Sequence, residues 1–312
     1  MFRLTEMPRF VRAIVCLLYL CGCGGSPVRE TASVISREFE PKSVEQELPG
    51  LHNVLLAADG IYSGSEPHGD EAFAGLAKLG IRTILSVDGA RPDVELARQH
   101  GLRYVHVPIG YDGVSPSASE KLAAAARETE GPVYVHCHHG KHRGPSATAV
   151  ICVAKGLCTG EQSLQLLKLA GTGQEYAGLW RDVAAYRPPR SGTKLPALVE
   201  TAEVESLTAA MARVDRHWDN LKLCRDAGWQ TPPAHRDLVP AREALLMKET
   251  FHEARRTLGP EYDSQFQSAL EAAEQIATEI EAALNSDQRD TLGMRMESLD
   301  KSCKQCHVKY RN

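Results

Sequence analysis

Hydrophobic and polar positions alternate with two different periods along the chain, and the first pattern occupies residues 51–190. Short apolar runs predict strands at residues 81–87, 104–109 and 132–136. Segments with helical spacing lie around them, at residues 70–80, 93–101, 117–129 and 145–155. Strands that alternate with helices form a mainly parallel sheet, which binds ligands at the carboxyl ends of its strands. We therefore predict an α/β domain in which helices flank a mainly parallel sheet.

The second pattern begins after a linker at residues 188–196, which contains three prolines and a glycine. Beyond it, apolar residues recur at helical spacing in four stripes, separated by turn residues at 232–233, 259–260 and 285–287. Four amphipathic helices with short connections predict an antiparallel four-helix bundle over residues 195–312. The chain therefore divides into an α/β domain and an all-α domain.

Composition supports two globular domains and excludes some functions. The 312 residues are 43% hydrophobic, and the length exceeds what a single core usually holds. A formal net charge of −4 gives no electrostatic reason to expect nucleic-acid binding. Nine cysteines are too few for a disulfide scaffold of this size, and an odd number cannot all pair.

The first residues indicate export. Arginines precede an apolar run at residues 13–20, which is too short to span a bilayer as a mature helix. Residues 20–23, Leu-Cys-Gly-Cys, resemble the bacterial lipobox, and the resemblance implies that Cys23 becomes the lipidated first residue. We expect a signal peptide at residues 1–22, a polar tether at 23–50 and a lipid anchor in a bacterial membrane, facing the periplasm. A cleaved signal without lipid, or a retained anchor, is the alternative.

A cysteine and an arginine enclose a five-residue segment after the third predicted strand. Residues 136–143 have the sequence His-Cys-His-His-Gly-Lys-His-Arg and precede a predicted helix. Such a loop can point successive backbone N–H groups at a tetrahedral oxyanion, and the helix N-terminus adds positive potential. The Arg143 guanidinium can bind two oxygens of the anion, while the same field favours Cys137 as a thiolate nucleophile. Gly140 suits the left-handed turn that the loop requires.

These residues resemble the active-site signature of the cysteine-dependent protein tyrosine and dual-specificity phosphatases, over roughly residues 55–185. The resemblance implies that Cys137 attacks a phosphate monoester and forms a phosphocysteine that water hydrolyses. Arg143 would bind the phosphate and stabilise the transition state. The family also uses an aspartic acid on an upstream loop as general acid. Asp112, 25 residues before Cys137, matches best, and Asp88 is the competitor.

Two features of the motif leave alternatives open. The family usually has Ser or Thr directly after the arginine, whereas Gly144 and Pro145 stand here and Ser146 follows. This departure predicts slow breakdown of the phosphoenzyme unless Ser146 supplies the hydroxyl. The loop side chains favour an anionic substrate, but solvent-facing spacers or a metal cluster are the alternatives. The predicted phosphate-binding residues are His138, His139, Gly140, Lys141, His142 and Arg143.

The last predicted helix ends in Cys-Lys-Gln-Cys-His, residues 303–307. Positions i, i+3 and i+4 of a helix share a face, so two thiols and one imidazole can meet one flat ligand. This is the attachment pattern of c-type haem, in which Cys303 and Cys306 bind covalently and His307 is an axial ligand of the iron. A redox Cys-x-x-Cys pair or a zinc half-site is the alternative.

The position of this motif at the end of a four-helix bundle resembles class II cytochromes c, the cytochrome c-prime and c556 group, over roughly residues 197–312. The resemblance implies a second axial position facing the first helix, where Met211 matches and His217 is a weaker candidate. A methionine ligand would make the iron six-coordinate and suited to electron transfer, whereas ordinary core packing is the other interpretation of Met211. This family often dimerises, so a homodimer is an expectation.

Covalent haem attachment takes place outside the cytoplasm, which agrees with the export signal. We therefore predict a periplasmic, lipid-anchored phosphatase joined to one haem c for electron transfer or redox sensing. Its partners would be a phosphorylated substrate and a redox protein. The alternatives are a haem electron-transfer or sensor protein whose α/β domain is a non-catalytic anion-binding module, or a sulfur transferase.

Overall fold

The computed structural model describes residues 39–311 apart from residues 47, 205 and 287. The predicted signal peptide, residues 1–22, and the predicted lipidation site, Cys23, lie outside the described residues. Among the described helices, none combines the length and the apolar character that a membrane crossing requires.

Six strands form one mixed sheet. They are β1 (Lys42–Ser43), β2 (Leu55–Ala58), β3 (Ile61–Ser65), β4 (Thr83–Ser86), β5 (Arg103–His106) and β6 (Val133–Cys137). The order across the sheet is β1-β2-β3-β6-β4-β5. The three predicted strands, β4, β5 and β6, are parallel as expected, and β3, which was not predicted, is parallel to β6. β1 and β2 pair antiparallel at one edge, and β2 pairs antiparallel with β3. The prediction of a mainly parallel sheet therefore missed this antiparallel edge.

The antiparallel edge arises from a tight turn. Asp59 and Gly60 connect β2 to β3, and Gly60 has a φ of 70°, which glycine adopts without steric strain. An Asp-Gly pair between apolar segments is a hairpin signal that was available in the sequence. β1 pairs with β2, and Phe39 and Leu48 are buried, so residues assigned to the tether belong to the folded unit.

Helices cover both faces of the sheet. In chain order they are α1 (Gly69–Lys78), α2 (Val94–Gln99), α3 (Pro116–Glu128), α4 (Arg143–Ala154), α5 (Gly160–Ala170) and α6 (Ala177–Ala185). Leu85, Val105 and Val135 share a core with α3 to α6, whereas their strand neighbours Ile84 and Tyr104 share a second core with α1 and α2. This division follows from the alternation of side chains along a strand.

Four long helices follow, in agreement with the four predicted stripes. They are α7 (Leu207–Asp226), α8 (Pro240–Thr257), α9 (Ser264–Leu284) and α10 (Leu292–Tyr310). Ser206 caps α7 by accepting from Ala209 N, and Asp263 caps α9 by accepting from Phe266 N. All four helices contribute to one hydrophobic core. The second helix also contacts the α/β domain, because Leu245 of α8 belongs to the core of that domain.

Candidate active site

The 138–142 loop connects β6 to α4. β6 ends at Cys137 and α4 begins at Arg143, so the predicted strand, loop and helix are confirmed. β6 lies between β3 and β4, which places the loop at the carboxyl ends of parallel strands. The side chains at both ends of the loop are buried, with Cys137 3% exposed and Arg143 2% exposed. A ligand in the loop would meet a thiol and a guanidinium that are both shielded from water.

Contacts from three other segments shape the backbone of this loop. Three of its carbonyl oxygens accept hydrogen bonds from Glu66 N at 3.1 Å, Asn53 Nδ2 at 2.8 Å and Thr172 Oγ1 at 2.5 Å. Because the N–H of a peptide points away from the carbonyl, outward carbonyl groups turn neighbouring N–H groups toward the loop interior. The backbone of the loop is therefore suited to an oxyanion.

Gly140 lies where no larger residue fits. Its φ is 68°, and a Cβ at this position would lie 2.3 Å from the carbonyl carbon of Gly64 on β3. The loop thus packs directly against the neighbouring strand. This close approach explains the glycine that the motif contains.

Arg143 is held by acidic and aromatic side chains from three distant segments. Its Nη1 donates to Glu253 Oε1 at 3.0 Å, and its Nη2 donates to Glu253 Oε2 at 3.3 Å, Asp88 Oδ2 at 3.1 Å and Tyr111 Oη at 2.9 Å. Burial lowers the pKa of Arg143, but interactions with Tyr111, Glu253 and Asp88 outweigh the effect of burial, and the net pKa is raised. No described residue hydrogen-bonds Nε, which is buried. Nε is therefore available to an anion.

Tyr111 and Glu253 were not among the predicted site residues. The centroid of the Tyr111 ring lies 4.1 Å from the guanidinium carbon of Arg143. Tyr111 directly precedes Asp112, so the sequence pointed to this loop but not to the contact between Tyr111 and Arg143. Glu253 lies on α8, 110 residues after Arg143, and its carboxylate also accepts from Gly89 N at 2.9 Å. No local signal marks Glu253, because its contact depends on how the two domains pack.

The two candidate acids occupy different environments. Asp88 is 1% exposed, and it accepts from His138 N at 2.8 Å and from Arg143 and Arg256. Burial raises the pKa of this carboxyl, but the two guanidinium groups outweigh it and hold the pKa well below the ordinary value. Asp88 therefore stays ionised and cannot donate a proton. Asp112 is exposed and lines a cavity of about 560 Å³ together with Arg143, so it remains the better candidate for the general acid.

Two of the three loop histidines, His139 and His142, have lowered pKa values, which disfavours the positive charge that would attract an anionic substrate. Burial and the Arg143 charge lower the pKa of His142 to about 4, and its ring lies 4.2 Å from that of Tyr176. Burial and neighbouring positive groups also lower the pKa of His139. His138 instead contacts a carboxylate, with Nδ1 3.2 Å from Glu66 Oε2. Positive potential in the loop therefore comes from Arg143, Lys141 and the backbone.

Position 144 lies beside the thiol. A Cβ on Gly144 would be 3.4 Å from Cys137 Sγ and 3.2 Å from Cys137 N. A hydroxyl in this position could reach the sulfur, and glycine leaves the position without one. Ser146 does not replace it as a donor, because its hydroxyl donates to His142 O at 2.9 Å.

Three of the four predicted haem-binding residues, Cys303, Cys306 and His307, lie on α10. Cys303 and Cys306 of α10 are free, partly buried and packed against this core, as is Met211 of α7. Burial raises the pKa of Cys303 to about 11 and raises that of Cys306. His307 is half-buried on the same helix. Two thiols, an imidazole and an apolar surrounding fit a covalently attached haem.

His217, the weaker sequence candidate for an iron ligand, contacts a carboxylate of α8. Its Nδ1 lies 2.8 Å from Glu243 Oε2, and Asn220 Nδ2 donates to the same oxygen at 2.9 Å. This imidazole therefore takes part in a polar cluster between α7 and α8.

The chain is similar to solved structures over slightly less than half its length. TpbA of P. aeruginosa is 24% identical, with 48% of this chain and 89% of that chain covered and a TM-score of 0.37. A DUF442 protein of Shewanella putrefaciens CN-32 is 19% identical, covering 46% and 96%, with a TM-score of 0.37. The core catalytic domain of the PP-IP phosphatase SIW14 of S. cerevisiae is 19% identical, covering 45% and 89%, with a TM-score of 0.39.

Neither a protein-family model nor a curated protein matches the chain. At these identities and TM-scores the similarities establish neither a family nor an activity. The function therefore has to be inferred from the residues of the chain itself.

Proposed function

We propose that the α/β domain is a phosphatase of the protein tyrosine and dual-specificity type, which hydrolyses phosphate monoesters through a phosphocysteine. One observation carries the proposal: Cys137 and Arg143 are buried at the two ends of a five-residue loop whose carbonyl oxygens are bonded to the surrounding scaffold. The resulting concavity of N–H groups, with an unpartnered guanidinium N–H beside it, suits a tetrahedral oxyanion.

The residues divide the reaction into two steps. The Cys137 thiolate attacks phosphorus, the S–P bond forms and the P–O bond to the leaving group breaks. Asp112 gives its proton to the leaving oxygen, while Arg143 and the loop N–H groups stabilise the charge on the phosphoryl oxygens. Water then attacks the phosphocysteine, Asp112 takes up the proton, and phosphate and the thiolate are released.

Glu253 limits access to this site. Its carboxylate binds both Nη groups of Arg143 and accepts from Gly89 N. A phosphate bears the same sign of charge and needs the same donors, so it competes with Glu253 for Arg143. We expect substrate binding to require displacement of this carboxylate, and thus a small shift of α8.

We propose further that residues 195–312 are a four-helix-bundle cytochrome domain. Cys303 and Cys306 would hold haem c covalently, and His307 and Met211 would bind its iron. When bound, the haem supplies one-electron redox chemistry. Export and lipid attachment at Cys23 would place both domains in the periplasm, where a redox partner protein and a second copy of the chain are the expected partners.

A second function has its own support. Arg143 is already bound by two carboxylates, and no hydroxyl stands at position 144. Both observations favour a haem electron-transfer or sensor protein whose α/β domain binds anions without hydrolysing them. A sulfur transferase would also use a cysteine in a strand-to-helix loop.

One experiment separates these functions. The exported full-length holoprotein is assayed with p-nitrophenyl phosphate, and with thiosulfate plus cyanide as the sulfur-transfer substrates. We expect phosphate release by the wild type, none by Cys137→Ser, and no thiocyanate. Cys158→Ser, the same exchange at a buried cysteine outside the loop, should keep the activity. Phosphate binding without turnover would instead support the anion-binding module.

A further inference from the structure

Histidines and carboxylates gather where the 138–142 loop meets α8, and neither the proposed hydrolysis nor the haem uses them. His138 and His139 belong to the loop, and His252 belongs to α8. One ring nitrogen from each of these three histidines lies within 4.8 Å of the corresponding nitrogens of the other two. The ring centroid of His138 lies 4.2 Å from the ring centroid of His139 and 6.4 Å from that of His252. We propose that the three histidines bind one divalent transition-metal ion, of which zinc best matches an all-imidazole set.

The hydrogen bonds behind two of the rings support this assignment. His138 Nδ1 lies 3.2 Å from Glu66 Oε2, and His252 Nδ1 lies 2.8 Å from Glu274 Oε1. A ring that donates from Nδ1 to a carboxylate keeps the Nε2 lone pair for a metal. Arg255 Nε in turn donates to Glu274 Oε2 at 2.8 Å, so that carboxylate is itself held in place. Metal-binding imidazoles in proteins have this carboxylate support behind them.

Arg256 brings a positive charge close to the group and would oppose a cation. Its guanidinium, however, is paired with Asp88 and Glu253, and its Nη1 lies 3.9 Å from Glu66 Oε2. These carboxylates offset the guanidinium charge. The local charge therefore does not exclude a dication on neutral imidazoles.

A second arrangement shares one residue with the first. Glu66, His68 and His138 also offer ligand atoms within 4.8 Å of one another. In the structure Glu66 already engages Nδ1 of His138, which makes Glu66 a support for that ring and a poor co-ligand beside it. Zinc also favours three imidazoles with an open fourth position. We therefore assign the ion to His138, His139 and His252. Substitution of His68 distinguishes the two arrangements, because His68 belongs only to the second.

A bound ion would connect the 138–142 loop to α8. His138 follows Cys137 directly, and His252 precedes Glu253. An ion held by both segments fixes α8 of the all-α region to the loop of the α/β domain. The site does not depend on phosphatase activity, so it can be tested whether or not the chain hydrolyses phosphate esters.

The test measures zinc binding to the full-length holoprotein. The protein is stripped with a chelator, dialysed against buffered free Zn²⁺ and analysed for bound zinc. We expect one zinc per chain in the wild type. His139→Ala and His252→Ala should each weaken binding at least about tenfold, and Glu274→Gln should weaken it about 10- to 100-fold, as for other residues that support metal-binding imidazoles. His235→Ala, at an exposed histidine outside the group, and His68→Ala should bind zinc like the wild type.

Three results would overturn the assignment. One is unchanged zinc affinity in the double variant H139A/H252A, and another is loss of zinc in His68→Ala alone. The third is loss in Cys137→Ser, which would make the thiolate the ligand. Should a histidine variant fail to fold, as judged by its circular dichroism and haem spectrum, zinc X-ray absorption of the wild type decides. We expect a shell of imidazole nitrogens, and sulfur in that shell would refute the site.

Discussion

The contact between Glu253 and Arg143 gives the sharpest quantitative prediction. Glu253→Gln keeps the shape of the side chain but removes its charge, so one of the two charge-assisted bonds to Arg143 becomes a weaker neutral one and the other is lost. A hydrogen bond to a charged group contributes about 1.5–3 kcal/mol. Since about 1.4 kcal/mol corresponds to a tenfold change in affinity, phosphate should bind roughly 10- to 100-fold more tightly.

The assay is the inhibition constant of inorganic phosphate against p-nitrophenyl phosphate, together with the KM of the substrate. Both should fall in Glu253→Gln. Glu249→Gln is the matched control, because Glu249 lies one turn earlier on α8 and accepts from Tyr176 Oη at 2.8 Å. Unchanged or weaker phosphate binding in Glu253→Gln would refute the competition and make Glu253 a support that positions Arg143.

The remaining predictions concern the acid, the position beside the thiol, acid stability and the haem. Asp112→Asn should lower kcat about 10²- to 10⁴-fold and remove the alkaline limb of the pH–rate profile; an intact limb would exclude Asp112 as general acid. Gly144→Ser should raise the rate of phosphoenzyme hydrolysis in single-turnover experiments, whereas Gly144→Ala should not, and equal effects of both would exclude a role for the hydroxyl. Burial raises the pKa of Glu243, but hydrogen bonds from His217 and Asn220 outweigh burial, and the net pKa is lowered. The ionised carboxylate therefore stabilises the fold at pH values above the ordinary carboxyl pKa. This stabilisation is lost as the pH falls below that value. Urea unfolding should therefore show a shallower loss of stability toward pH 4 in Glu243→Gln than in the wild type or in the exposed-site control Glu271→Gln, and identical acid profiles would contradict this. Met211→Ala should convert a low-spin haem spectrum to high-spin, and an unchanged spectrum would remove Met211 as ligand.

Local patterns predicted much of the fold. The helix after Arg143 and the strand before Cys137 were placed correctly because strand, loop and helix are continuous in sequence. Helical periodicity located α7 to α10, since each buries one stripe against a shared core. The β2–β3 hairpin was missed although Asp59-Gly60 marks it, because both strands are short and β3 contains two serines and a glycine that interrupt its apolar pattern.

The site was predictable only where its residues are neighbours in the chain. Cys137 and Arg143 form one motif, whereas Glu253 reaches Arg143 from 110 residues away and Tyr111 from 32. No periodicity or spacing encodes a contact of that kind, which follows from the packing of α8 on the α/β domain. The role of Asp88 was likewise hidden, because its ionised state depends on two guanidinium groups that converge only in the fold.

The central claim is that Cys137 carries a phosphoryl group during turnover. The most direct test is an acid quench of the full-length protein during hydrolysis of p-nitrophenyl phosphate, followed by mass spectrometry of the peptide that contains Cys137. The account predicts a phosphoryl adduct on Cys137 that is absent from Cys137→Ser and accumulates further in Asp112→Asn if dephosphorylation becomes the slower step. Turnover with no adduct on this peptide, or an added sulfur atom in its place, would contradict it.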